Sequence, residues 1–273
     1  MRVVRLLLIV AVAYALLWAP AAAGTGPGEL AVLQFNMCGD ACGTHFAVVN
    51  DLEKEIRQHP QQPFFVTLDE ACRSQYDKLT ADLSYRGYFA TTIRDRCWDG
   101  TDYGVAVLVR SADVSLVGVW ALPNPTEMEP RALACVRSSL DGEPLVGCVT
   151  HLDTDPKNTP SQVAAVARHA SGIAGPVIVG GDFNALPANP AMRPLYDRFD
   201  EAGAPADAFT SGCSAAHCGT AAGYRHPTRK IDYVFLSRGD FTALGAVPTN
   251  APHSDHTPLW ATATLTPVPV ARS

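Results

Sequence analysis

The chain has 273 residues, 47% of them apolar, with 21 Lys+Arg against 27 Asp+Glu and eight cysteines. That length suits one large α/β domain with an ample core. A net charge of −6 excludes a sequence-independent nucleic-acid clamp that relies on counterion release.

Arg2 and Arg5 precede an apolar run from Leu6 to Trp18, and Ala21-Ala22-Ala23 offers a small-residue cleavage site. Residues 1–23 therefore read as a secretory signal peptide, preferred over an uncleaved anchor because the run is short for a bilayer. Removing it takes Lys+Arg from 21 to 19 against 27 Asp+Glu, a net charge of −8. The expectation is a secreted monomer without integral membrane contact, one domain over 29–266, and a loose tail over 267–273.

Strands are predicted at Leu30–Phe35, Phe64–Leu68, Tyr88–Ile93, Gly104–Val109, Val114–Ala121, Leu133–Ser138, Leu145–Thr150, Val177–Gly180, Ile231–Leu236 and Leu259–Leu265. Helices fit between them. Phe46–Gln58 carries Val49, Leu52 and Ile56 on one face, Arg73–Ser84 carries Tyr76, Leu79 and Leu83, and Ser161–Ser171 carries Val163, Val166 and Ala170. These stripes are core-facing. The mixture predicts an α/β fold of two mixed sheets with helices outside. Ala202–Gly223 lacks periodicity and reads as a long excursion.

Eight cysteines in an exported chain suggest disulfides. Cys135 and Cys148 lie symmetrically about Asp141-Gly142 and would face each other across a hairpin. Cys38/Cys42 and Cys213/Cys218 look like loop staples, which leaves Cys72 with Cys97. Zinc at Cys38, Cys42 and His45, or at Cys213, His217 and Cys218, lacks ordinary structural spacing. His59, His169 and His226 read as solvated surface groups.

Polar groups recur where strands end: Gln34-Phe35-Asn36, Thr67-Leu68-Asp69-Glu70, Thr150-His151, Gly181-Asp182-Phe183-Asn184, Ile231-Asp232-Tyr233 and Ser254-Asp255-His256. The glycine pair before Asp182 is expected to let the chain turn sharply there. In this order the stretches resemble the endonuclease/exonuclease/phosphatase superfamily, with its DNase I-like fold, and suggest a secreted bacterial-type member. Gln162 also falls where that family often keeps a glutamine.

The resemblance implies a four-layer α-β-β-α sandwich and a metal-dependent phosphoester hydrolase. Asn36, Glu70 and Asp255 would bind Mg²⁺ or Mn²⁺, or Ca²⁺. Asp182 and Asn184 would orient the attacking water. Asp232 would hold His256, which acts as base or as phosphate clamp. His151 would contact the phosphate or protonate the leaving oxygen. Asp102 is the expected partner of His151, with Tyr103 competing for the place. Arg94/Arg96 and Arg225/Arg229/Lys230 are candidates to hold flanking phosphates. Export argues against an intracellular DNA-repair role and suits a nutrient nuclease, phosphate scavenging or lipid attack. With no hydrophobic membrane-docking hairpin in the sequence and basic clusters beside the site, a nuclease acting on nucleic acid is favoured; a phospholipid or inositol-phosphate esterase is the alternative. An inactive binding module would lack a ligand, and none is missing.

Overall fold

A computed structural model describes residues 28–126, 129–203, 230–249 and 251–266. The expected signal peptide, the tail from 267, the excursion beyond 203, Cys213, Cys218 and His226 lie outside them.

In chain order the elements are β1 (Glu29–Asn36), α1 (Phe46–Gln58), β2 (Phe65–Cys72), α2 (Arg73–Leu83), β3 (Arg86–Ile93), β4 (Tyr103–Val109), β5 (Ser115–Ala121), β6 (Ala132–Leu140), β7 (Glu143–His151), α3 (Thr159–Ser171), β8 (Val177–Asp182), α4 (Arg193–Tyr196), β9 (Phe199–Glu201), β10 (Asp232–Ser237), β11 (Phe241–Pro248) and β12 (Leu259–Leu265). They form two six-stranded sheets, ordered β11-β12-β1-β2-β4-β3 and β5-β6-β7-β8-β10-β9. Every predicted strand is found. β9, β11 and the short α4 were not foreseen, because Phe241–Pro248 mixes Ala and Gly with exposed positions and has no clean alternation.

Alternate residues of the central strands serve different cores. Leu30 and Val32 of β1 join Val149, Ile178 and Val234 between the sheets, whereas Ala31, Leu33 and Phe35 pack with Val49 and Leu52 of α1 and Leu79 of α2. Cys135, Val146, Val177 and Phe235 face outward to Val163 and Val166 of α3. The result is the four-layer α/β sandwich.

Each sheet contains one parallel pair, β1/β2 joined through α1 and β7/β8 joined through α3. The C-terminal ends of both pairs deliver their polar residues to one end of the sandwich. Asn36 lies opposite Asp69, while His151, Asp182 and Asp232 share one rung of β7, β8 and β10.

The sheets meet closely because Gly180 has no side chain; a Cβ there would lie 2.1 Å from Thr67 Oγ1. The glycine pair therefore does not make the turn expected of it. It stays within β8, and the left-handed residue is Asn184, with φ 47°.

His59 and His169 are not simply solvated. Each stacks on a tryptophan, Trp260 at 3.6 Å and Trp120 at 5.1 Å between ring centroids. Among the described residues no helix is long and apolar enough to cross a membrane.

Three bridges are formed, Cys38–Cys42, Cys72–Cys97 and Cys135–Cys148, and no described cysteine is free. The first two pin the loops after β1 and before β4 beside the strand ends. Cys135 and Cys148 pair directly across β6 and β7. Replacing both by Ala should lower the unfolding free energy by about 3 kcal/mol, the loop-closure value for so short a loop. A denaturant midpoint that does not move would show that this bridge adds nothing.

Candidate active site

Glu70 reaches the site through an irregularity of β2. The β2/β4 register shifts between Leu68 and Ala71, and Glu70 sits at φ 50°, a left-handed conformation that costs a non-glycine residue free energy. In a regular strand Asp69 and Glu70 would point to opposite faces. The bulge brings Glu70 to the same cavity as the residues of the second sheet.

That cavity, about 510 Å³, is lined by Glu70, His151, Asp182, Asn184, Asp255 and His256, and beside them by Tyr103, Glu129, Arg131 and Asp153. Asp69 lies behind its floor. Its Oδ2 accepts from Gln34 Nε2 at 2.5 Å and from the backbone N–H of Asp182 at 2.8 Å, so it joins the two sheets at the site. Asp182 Oδ1 accepts from the Asn184 N–H at 2.9 Å, and its Oδ2 accepts from Asn36 Nδ2 at 3.2 Å. His256 Nδ1 lies 2.8 Å from Asp232 Oδ2, and its Nε2 lies 3.6 Å from Asp182 Oδ2. Ser254 fixes the turn that carries His256, donating to the Asn36 carbonyl and accepting from the His256 N–H.

Charge is distributed unequally. Burial raises Asp182, and the nearby Asp232 raises it further, up to about 7. Burial also raises Glu70 and holds Asp69 well above the usual carboxylate range. Burial pulls His256 down, but Asp232, through charge and hydrogen bond, with Asp182 and Asp255, more than offsets it and lifts the imidazole to about 11. His151 goes the other way: burial, then Arg131 and His256, hold it well below 6.5. The two histidines are pushed in opposite directions, His256 toward its cation and His151 toward the neutral ring.

The Endonuclease/Exonuclease/phosphatase family matches residues 33–256. The chain belongs to that family. No curated protein sequence matches it. Among solved structures it is similar to the human Nocturnin catalytic domain with bound sulfate (20% identity, 88% of this chain and 94% of that one, TM-score 0.66). It is also similar to the endonuclease/exonuclease/phosphatase from Bacteroides vulgatus (18% identity, 87% and 99%, TM-score 0.64). A third is D. rerio TDP2 complexed with single strand DNA product (16% identity, 86% and 99%, TM-score 0.59). At these identities the likeness establishes the DNase I-like fold. Family membership makes the chain a phosphoester hydrolase.

Members of the family generally use divalent metals, and the donors here fit one. Glu70, Asp182 and Asp255 bring hard oxygen ligands and negative charge into one cavity. Cys38 and Cys42 lie near Asp255 but are tied in a disulfide and offer no thiolate. Asp182, Asp232 and His256 also lie within ligand range of one another. Asp232 holds His256 toward its protonated form, in which it is no ligand, so a cation would fall to Glu70 and Asp255. Asn36 presents its Nδ2 to Glu70 and Asp182, while its Oδ1 accepts from the Cys38 N–H. It serves as a ligand only if the amide turns over.

Two expectations are corrected. Asp102 does not partner His151: its carboxylate accepts from Thr91 Oγ1 and from the Asp95 N–H, on the outer side of the loop. His151 Nδ1 is met instead by Arg131 at 2.7 Å, and Tyr103, not Asp102, lines the cavity. Lys230 holds no flanking phosphate, since it is buried and paired with Glu201 at 2.5 Å. Arg225 and Arg229 lie outside the described residues, and Arg96 lines the cavity but pairs with Asp40.

Sequence reasoning gave no role to Asp69, Gln34, Arg131 or Glu129. Gln34 and Asp69 stood inside quoted motifs, and their spacing of two from Asn36 and Thr67 was the available signal. Arg131 stands alone in a loop and carries no motif. Gln162, read from the resemblance, positions the loop after His151: it accepts from the Asp153 N–H and donates to the Pro123 carbonyl.

A group whose folded pKa is raised stabilises the fold fully below its unfolded pKa and less as pH rises through the folded one. For His256 that window opens at 6.5 and runs to about 11. The metal-free protein should therefore lose thermal stability between pH 7 and 9, and Asp232→Asn should flatten that slope. An equal slope in the variant would show that the His256–Asp232 pair does not carry the charge.

Relief of the crowded carboxylates gives a second expectation. At a hundred times its Kd, Mg²⁺ or Mn²⁺ should stabilise EDTA-treated protein by ~2.7 kcal/mol, about 5–10 °C in Tm for this size. Glu70→Gln should remove most of that rise. A Tm insensitive to divalent cations would contradict the ligand set.

Proposed function

We propose that the chain is an exported, divalent-metal-dependent phosphodiesterase that cleaves nucleic acid by in-line attack of water on phosphorus. The observation that carries the reading is geometric: Asp182 and His256 face each other in one cavity, Oδ2 to Nε2 3.6 Å, with Asp232 behind His256 at 2.8 Å. This setting raises the Asp182 carboxyl to about 7 and the imidazole to about 11. A carboxylate poised near neutral pH suits a general base. Asp182, oriented by the Asn184 N–H and Asn36, takes the proton of the attacking water. His256, held by Asp232, is already protonated and acts as the clamp on the phosphate charge rather than as the base. Glu70 and Asp255 would hold a divalent cation, which would supply further neutralisation of that charge. The remaining contribution is positioning by groups fixed before substrate arrives.

Export is supported by the Arg2/Arg5 apolar leader and by three bridges formed in the fold. The nucleic-acid reading is supported by a polar cavity and by the similarity to TDP2, whose structure holds a single strand DNA product.

With Mg²⁺ or Mn²⁺ the purified protein should cleave plasmid DNA or RNA faster than sphingomyelin or inositol phosphates, and EDTA should abolish the activity. Asp182→Ala and His256→Ala should each cost about 10²–10⁴-fold, with the double variant little worse than either single one. Undiminished cleavage in EDTA, or by folded Asp182→Ala protein, would defeat the mechanism. Preference for a lipid or inositol ester would replace the substrate and keep the chemistry.

A further inference from the structure

We infer that Arg131 is a positioning residue: its guanidinium fixes His151 as the Nε2–H tautomer, so that His151 faces the cavity as a hydrogen-bond donor. Arg131 is 8% exposed, and its NH1 lies 2.7 Å from His151 Nδ1 and 3.0 Å from Glu129 Oε1. Guanidinium nitrogens only donate. Nδ1 must then present a lone pair, and the single ring proton sits on Nε2.

The opposite tautomer is the one to weigh against it. It would let Nε2 accept from Asn184 Nδ2, but only at a long 3.3 Å, and that nitrogen keeps its shorter bond to the Leu152 carbonyl, 3.0 Å, in either tautomer. It would also set an N–H against a cationic donor at 2.7 Å in a buried position, which costs far more than leaving a long contact unmade. Glu129 keeps Arg131 in place and balances its charge.

The other groups around Nε2 agree. Asp182 Oδ2 at 3.7 Å and Glu70 Oε1 at 3.8 Å are both acceptors, too distant to take the proton fully. The Nε2–H is left aimed at the space between them. On the phosphoester reading above, that space receives a phosphate oxygen, and His151 gives it a neutral hydrogen bond.

The test is the ¹⁵N signal of the His151 ring in the full-length protein with Mg²⁺ present, identified by its loss in His151→Gln. In the wild type the proton should reside on Nε2. A proton on Nδ1, or on both nitrogens, overturns the inference, and this measurement needs no change at Arg131. Arg131→Met should release the tautomer and lower kcat about 10- to 100-fold with less effect on KM, while Arg131→Lys, another donor-only cation, should restore part of both. An unchanged Nε2–H signal in Arg131→Met would show that something else sets it. A protein with the expected signal that hydrolyses no phosphoester would instead remove the proposed function and leave this assignment standing.

Discussion

Asp69 joins the two halves of this molecule where the chemistry is gathered. Its carboxylate leaves the first sheet, takes the Gln34 amide, and accepts the backbone N–H of Asp182 on the second. That bond needs the sheets nearly in contact, which Gly180 permits by leaving room for Thr67. Thr67 in turn donates to Gln34 Oε1 at 2.6 Å, so the glycine, the threonine, the glutamine and the aspartate form one connected unit. Buried polar networks of this kind are costly when incomplete, and among the described residues Asp69 Oδ1 has no hydrogen-bond partner. That cost falls beside Asp182, at the end of the sandwich where the polar strand ends gather.

What the sequence revealed and what it hid follow from the range over which each feature is decided. Strand positions depend on neighbours two residues apart, so Val177-Ile178-Val179 and Gly104–Val109 could be read directly. Asn36, His151 and Asp182, which end β1, β7 and β8, could be placed together because parallel βαβ units bring strand ends to one side, and Asp232 joins them by opening the antiparallel β10 opposite Asp182. The bulge at Glu70 could not be read, since it depends on how β2 pairs with β4. The Arg131–His151 contact was hidden for a related reason. It joins a loop residue to a strand end across twenty positions, and Asp102 lay nearer to the family pattern. Tertiary pairing redirected Asp102 to Thr91 and left the site to Tyr103.

The glycines show the same limit in another form. A Gly-Gly-Asp stretch at a strand exit has two uses, a turn or a close approach, and sequence alone does not separate them. Here the close approach applies, and the left-handed turn falls on Asn184, whose N–H then caps Asp182 Oδ1. A backbone conformation that costs free energy is spent on aiming the carboxylate.

The two cavity histidines reach opposite charge states although burial pushes both toward neutrality. The difference lies in what meets Nδ1. At His256 it is the Asp232 carboxylate, an acceptor that demands a proton on Nδ1 and favours a second on Nε2. At His151 it is the Arg131 guanidinium, a donor that forbids a proton on Nδ1 and disfavours a net charge. Were both histidines cations, they would compete with the metal expected at Glu70 and Asp255; were both neutral, Asp182 and Asp232 would lack a counter-charge. One of each keeps a counter-charge beside Asp182 and Asp232 while leaving a neutral side chain beside Glu70. The identity of the residue behind each histidine, rather than of the histidine itself, divides the work of the site.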